Sequence, residues 1–385
     1  MSRFVVFSAL YLPHVGGVER YTYNLAKKLV KMDHEVIIIT SNIVNIKFEF
    51  VDGIKIYRLP SLFFLEGRLP ILLNSKYLHW VLNNIIGDFV IINSRFYMHS
   101  LFGLKYSKKH KLPYIVIEHG SGHLSLNNCL LDKFLHVYEH ILTNHIKRNY
   151  SANFYGVSDA CNKWLEHFGI KANGILYNSV NNQKIQMDIQ KSDFYLRKKF
   201  DIPSDSIIVT YVGRMVEKKG VQKLIAAIDI IKHDFNNIRL VLVGDGPLCK
   251  EIKKRNNPHV LVLGKQKHEN IVAILSQSDI FCLPTDFLEG FPTSILEAAA
   301  SRCFIIATDI GGIREFLVNS NYGLLLKDTS PNNIADSIRY AVSSPCYRKK
   351  CIDLAYKRLA DLFTWDNTYS IFMEEVRKIE KKYLL

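Results

Sequence analysis

Several absences narrow what these 385 residues can be. The seven cysteines (Cys129, Cys161, Cys249, Cys282, Cys303, Cys346 and Cys351) form no CxxC pair and no cluster with histidine. That spacing argues against a disulfide framework or a structural zinc and points to a reducing compartment. No apolar run approaches the roughly 18 residues of a membrane span. The best candidate, near 81–92, is broken by Asn83, Asn84 and Asp88. The apolar stretch from Phe4 to Leu12 ends at Pro13 and His14 without a small-residue cleavage site, so it reads as a buried strand and not a signal peptide. A cytoplasmic protein is expected. The dinucleotide fingerprint GxGxxG and the ion-binding triplet Asp-x-Asp are both missing, as are internal repeats and low-complexity tracts.

Acidic residues are outnumbered. The chain has 50 Lys and Arg against 36 Asp and Glu, a net charge of +14, with the excess in both halves. Such a balance favours anionic partners: nucleic acid, anionic lipid or a phosphorylated substrate. No nucleic-acid motif and no basic strand with interleaved aromatics is found, so nucleic acid is not expected.

What is present is an α/β rhythm in two series. Short β-rich runs at 4–10, 35–40, 55–59, 89–93, 114–118 and 153–158 alternate with helical stretches. A second series follows at 207–213, 239–244, 260–264, 280–284, 304–308 and 322–326. With 48% hydrophobic residues, the chain can bury two cores. We expect two doubly wound, Rossmann-like domains, 1–180 and 181–364, joined near ILYNSVNNQKI (175–185) and followed by an amphipathic helix over 365–385.

The most telling run is EGFPTSILEA (289–298), which follows the strand IFCLP and turns into a helix. Glu289 and Glu297 bracket this corner, and the helix-start amides at Gly290, Phe291, Pro292 and Thr293 suit an anion, proline lacking a donor of its own. Carboxylates for sugar hydroxyls beside amides for phosphate suggest a nucleotide-sugar site. Upstream, VTYVGRMVEKKG (209–220) ends a strand at Gly213, with Arg214 and Lys219 flanking a short turn. Either cation alone would read as a solvated charge. The two runs together, in this order, resemble glycosyltransferase family 4, retaining enzymes of the GT-B fold, over nearly the whole chain.

That resemblance implies two domains facing across a cleft that holds the site, with the last helix crossing back to the first domain. It implies a nucleoside diphosphate sugar, UDP-linked by expectation, as co-substrate and no cofactor. Arg214 and Lys219 would take the diphosphate, Glu289 the donor sugar and its cation-like centre, and Glu297 the ribose. His119, in EHG (118–120), would position the sugar and stabilise charge, making His119, Arg214, Lys219 and Glu289 the catalytic set. Gly16 and Gly17, in HVGGVE, would face the diphosphate and acceptor, and Glu19 opens the helix behind them. Lys265 and Gln266 would lie by the nucleobase. VGDGPL (243–248), with a helix starting at Pro247, and GGIREF (311–316) read as architecture, and His123 as a loop residue. Without Asp-x-Asp, no metal is expected, and Asp33-x-Glu35 lies at the wrong end of a strand. Where the family usually has Asn-Gly-Val-Asp, this chain has Ser179 and Asn181 in place of the Gly and Asp.

The acceptor implied is a lipid-linked or other saccharide in bacterial capsule, exopolysaccharide or lipopolysaccharide assembly. The stretch 57–86, with Arg58, Arg68 and Lys76 among apolar residues, suits peripheral docking on an anionic inner membrane face, helped by KYSKKHK (105–111). A packed helix and strand would have the same composition. Two other functions stay open: a different GT-B enzyme such as a nucleotide-sugar 2-epimerase, and a non-catalytic scaffold in a polysaccharide complex.

Overall fold

The computed structural model describes residues 1–14, 16–64, 67, 69–123 and 128–384, so Arg68 lies outside the described residues. The chain divides into two units: Met1–Asn178 with Trp365–Leu385, and Ser179–Thr364. Through the first unit run β1 (Arg3–Phe7), α1 (Gly17–Lys31), β2 (Glu35–Ser41), β3 (Phe48–Val51), β4 (Ile54–Leu59), β5 (Ser61–Phe64) and β6 (Leu69–Leu72). Then come α2 (Lys76–Asn84), β7 (Phe89–Asn93), α3 (Met98–His110), β8 (Tyr114–Glu118), α4 (Cys129–Asn149), β9 (Asn153–Gly156), α5 (Asp159–Glu166) and β10 (Gly174–Ile175). The second unit holds α6 (Asn182–Gln190), α7 (Leu196–Lys199), β11 (Ile207–Val212), α8 (Val221–Ile231), β12 (Ile238–Val243), α9 (Cys249–Lys254), β13 (Val260–Gly264) and α10 (His268–Ser276). It continues with β14 (Ile280–Leu283), α11 (Thr293–Ala300), β15 (Phe304–Thr308), α12 (Ile313–Phe316), β16 (Leu324–Leu326), α13 (Pro331–Ser343) and α14 (Pro345–Leu362). The chain ends in α15 (Trp365–Leu384), which belongs to the first unit.

The first sheet has the order β10-β9-β8-β7-β1-β2-β4-β3 and is parallel except for β3, which pairs antiparallel with β4. Strands β7 and β8 are buried at every residue, which is why their sequences are unbroken apolar runs and not alternating ones. Helix α1 buries Tyr21, Thr22, Leu25, Ala26 and Leu29, a spacing that keeps one face inward. Helix α15 closes the same core, with Phe372 against Phe4 and Phe89, while Tyr155 Oη donates to Glu375 at 2.5 Å.

The second sheet is wholly parallel, in the order β13-β12-β11-β14-β15-β16. Its order reverses between β11 and β14, and in open parallel sheets the carboxyl ends of the strands at such a switch point border the ligand crevice.

The structure departs from the sequence expectations in several places. β3, the β5–β6 hairpin and β10 are additional strands, short or largely exposed, whose composition carries little burial signal. The run 153–158 pairs only through Gly156, and the helix expected at Pro247 begins at Cys249. Arg58 is not a membrane-facing charge. Its side chain is 2% exposed, donating to Glu49 and to the Leu12 carbonyl from inside the fold.

Candidate functional site

In the second unit, parallel pairing of β11 with β14 sets two loops side by side although about 70 residues separate them. The Asp286 amide donates to the Lys218 carbonyl at 2.8 Å, and Lys223 Nζ reaches Asp286 at 2.5 Å, so the loops are stitched together. Across this seam Lys219 Nζ donates to Glu289 Oε1, both side chains mostly enclosed at 19% and 15% exposure. Phe287 lies with its ring 5.3 Å from the Lys219 ammonium. Arg214 is exposed on the same turn, and its carbonyl accepts from the buried Tyr211 hydroxyl at 2.8 Å. The structure thus gathers two cations and a carboxylate at the switch point of the sheet. A diphosphate needs such cations when no metal neutralises it, and a sugar hydroxyl needs such an acceptor.

Burial, with the Arg214 charge beside it, lowers the Lys219 ammonium to about 8. The ammonium is charged at neutral pH. As pH rises through about 8 the cation is lost. We therefore expect kcat/KM for the donor to fall on an alkaline limb near pH 8, reporting the free enzyme. In Lys219→Arg that limb should vanish, because guanidinium does not titrate there. A wild-type profile flat to the stability limit would remove Lys219 from the binding step.

Two backbone devices hold these loops. Gly311 sits at φ +60°, and a Cβ there would overlap the Glu289 carbonyl. The Gly312 amide donates to the Glu289 and Gly290 carbonyls at 3.3 and 3.1 Å. The run GGIREF is therefore a buttress for the carboxylate loop, while Arg314 pairs with Asp309 on the surface. Gly244, at φ +134°, packs against the Gly213 carbonyl in the same manner, behind Arg214. Phe291 is 6% exposed and stacks on Phe363, so its side chain anchors the loop and cannot reach a ligand in the crevice. Pro292 caps α11 and Thr293 begins it.

Glu297 is on buried α11, and its carboxylate accepts from His268 Nε2 at 3.1 Å. Sequence reasoning passed over His268, although it lies in the run that supplied Lys265 and Gln266. Lys265 is exposed after β13. The Gln266 side chain is engaged locally, donating to the Leu263 carbonyl and accepting from Asn270.

In the first unit, Gly16 caps α1 in extended conformation and Gly17 begins the helix. Glu19 folds its carboxylate back over Gly16 and lies 3.2 Å from His14 Nδ1. His119 stands at the end of β8, edge-on to Tyr21 at 4.8 Å. A relay sets its tautomer. Thr22 Oγ1 donates to the Val18 carbonyl, so it accepts from Asn93 Nδ2 at 2.8 Å. Asn93 then turns its oxygen to His119 Nε2, 2.9 Å away, which must carry the proton. Nδ1 is left as an acceptor for a hydroxyl. Burial lowers the imidazole to about 4, outweighing the opposing pull of Glu118 and Glu19. A neutral ring acts through its hydrogen bonds and local dipole and not through a net charge. Positioning by hydrogen bonding is what the geometry offers. Asn93 and Thr22 escaped sequence reasoning because each lies far along the chain from His119.

Known proteins place this architecture. Residues 15–184 match the family described as Glycosyltransferase Family 4, and residues 192–358 match Glycosyl transferases group 1. An uncharacterized glycosyltransferase of Methanocaldococcus jannaschii is 27% identical over 394 residues, spanning 98% of this chain and 97% of that protein. The GPI3 subunit of phosphatidylinositol N-acetylglucosaminyltransferase from Saccharomyces cerevisiae is 24% identical over 370 residues, spanning 92% of this chain and 78% of that one. Among solved structures, Anabaena HepE in complex with UDP-glucose superposes with a TM-score of 0.76 at 16% identity, covering 98% of this chain and 100% of that one. The two parallel Rossmann-like sheets are those of the GT-B fold. The chain belongs to glycosyltransferase family 4, and it transfers a sugar from a nucleotide-sugar donor.

Proposed function

We propose that this enzyme moves a hexosyl or N-acetylhexosaminyl group from a UDP-sugar, with retention and without a metal, to a hydroxyl of a lipid-linked glycan in bacterial surface-polysaccharide assembly. The observation that carries the donor half is the Lys219–Glu289 contact with Arg214 on the same turn. Arg214 and Lys219 take the diphosphate, Glu289 the sugar, and Glu297 the ribose, with the backbone of the Gly290–Thr293 loop beside them. In the first unit, Gly16, Gly17 and His119 serve the sugar and acceptor. Leaving-group charge is then met by preorganised protein cations.

The lipid half draws on the yeast relative, whose name places its acceptor on phosphatidylinositol. It also draws on α4, where Leu130, Phe134, Val137 and Ile141 recur at helical spacing and are all exposed. With Lys133 on the same helix, such a stripe suits an anionic bilayer surface. No helix among the described residues is long and apolar enough to cross a membrane. Liposome co-sedimentation should rise with anionic lipid and fall with salt. Equal recovery on neutral vesicles would argue against the surface.

The deciding assay supplies a panel of nucleotide sugars and lipid-linked acceptors in excess chelator, with the product anomer read by NMR. Transfer from a UDP-sugar that keeps the donor's anomeric configuration is the expected result. Interconversion of the donor at C2 without transfer would favour the epimerase reading. Binding with neither reaction would favour the scaffold.

A further inference from the structure

Histidines scattered along the sequence converge in the first unit. His123 follows the glycine loop after β8, His140 is on α4, and His167 follows α5. Each offers a ring nitrogen within 4.8 Å of the others'. The ring centroids lie 5.2 to 5.7 Å apart pairwise. The sequence expectation concerned cysteine with histidine; this all-histidine cluster is hidden by spacings of 17 and 27 residues, and folding assembles it. We propose that His123, His140 and His167 bind a divalent transition metal of the zinc class, which staples the His119 loop to α4 and α5.

Three features support a ligand site over simple aromatic packing. First, the donor set is three imidazoles with no thiol, a set that zinc accepts with a fourth position open. Tetrahedral zinc at about 2.0–2.1 Å from nitrogen needs closer nitrogens than the cluster has, a change that ring rotation supplies. Second, Glu139 Oε2 lies 2.6 Å from His123 Nδ1, which orients the ring and leaves Nε2 to face a metal. A carboxylate behind a ligating histidine is a recurrent device for fixing its tautomer. Third, the charge beneath the cluster is unbalanced. Arg95, fully buried, holds Glu118 and Glu139 at 2.5 Å each, one guanidinium between two carboxylates. A divalent cation on the imidazoles offsets that excess of formal negative charge. Trp164 stacks on His167 and His136 on His123, walling the cluster on two sides.

The loop consequence follows from connectivity. Only Gly120, Ser121 and Gly122 separate His123 from His119, and the Glu118 carboxylate that binds Arg95 also accepts from the His119 and Gly120 amides at 3.1 Å. A metal on His123 therefore limits how far the His119 loop can move, without entering the transfer chemistry.

The test uses untagged full-length protein, stripped with chelator and titrated with zinc alone. One equivalent should bind, and at free zinc hundredfold above Kd the melting midpoint should rise by about 5–10 °C. Cobalt should give the visible absorption of a nitrogen-ligated tetrahedral ion. His167→Ala, at an exposed position, should lose affinity by more than the roughly 10–100-fold that removal of an outer-sphere partner costs. The surface control His233→Ala should bind like wild type. Absence of stoichiometric zinc in the wild type would overturn the site, and so would unchanged affinity in His167→Ala. Neither readout depends on transfer, so failure here leaves the proposed reaction standing.

Discussion

Lys219→Ala and Arg214→Ala are each expected to turn over about 10²–10³-fold more slowly than wild type, the usual cost of one preorganised donor to a developing charge. Each cation makes charge-assisted hydrogen bonds worth roughly 1.5–3 kcal/mol. Because charge on the leaving diphosphate grows in the transition state, turnover should fall along with donor affinity. Arg214→Lys should recover only part, since an ammonium lacks the planar fork. Both residues sit on a turn outside the core, and the variants should fold. Glu289→Gln should separate the roles: turnover falls while affinity for free UDP changes little, because the carboxylate's partner is the sugar. In that variant Lys219 keeps an amide acceptor and loses only the opposing charge, so UDP affinity should not fall. If both cation variants bind UDP and turn over like wild type, the assignment fails.

A comparable loss is expected at a residue that touches no substrate. Gly311→Ala puts a Cβ onto the Glu289 carbonyl at a backbone conformation of φ +60°. The left-handed backbone alone costs about 1–2 kcal/mol for a residue with a Cβ. The overlap must be relieved by moving the loop. Displacement of a positioning group by about 1 Å can cost 10²-fold in rate. We expect kcat to fall by about that factor while UDP affinity, held by the β11 turn, is largely kept. Gly323→Ala supplies a strained-glycine control: its φ is +148° and its neighbours are the Ile305 carbonyl and Leu317, remote in sequence from the carboxylate loop. A Gly311→Ala enzyme with normal kcat would show that the loop is not held at this point.

The parallel strands were legible because burial on both faces leaves an unbroken apolar signature, as in FVIIN and IFCLP. Their ends were legible too, since glycine and charge appear there together. Short partly exposed strands such as Phe48–Val51 lack that signature, and they emerged only with pairing. Arg58 was misjudged for a related reason. Composition showed a basic residue among apolar ones, and only the strand's register told that it points inward to Glu49.

Within the site, the sequence by itself determined which residue types stand at which strand ends: Arg214 and Lys219 after one, Glu289 after another, His119 after a third. Tertiary structure alone decided who meets whom. A parallel sheet joins strands through long crossovers, so neighbours in the crevice lie many residues apart along the chain. Lys219 meets Glu289 because β11 pairs with β14, and Gly311 holds Glu289 because β15 lies next to β14. His119 receives its tautomer from Asn93 because β7 pairs with β8. Likewise, three histidines far apart in sequence become one cluster when α4 and α5 pack beside the loop after β8. Spacing records distance along the chain, and chemistry depends on distance through space.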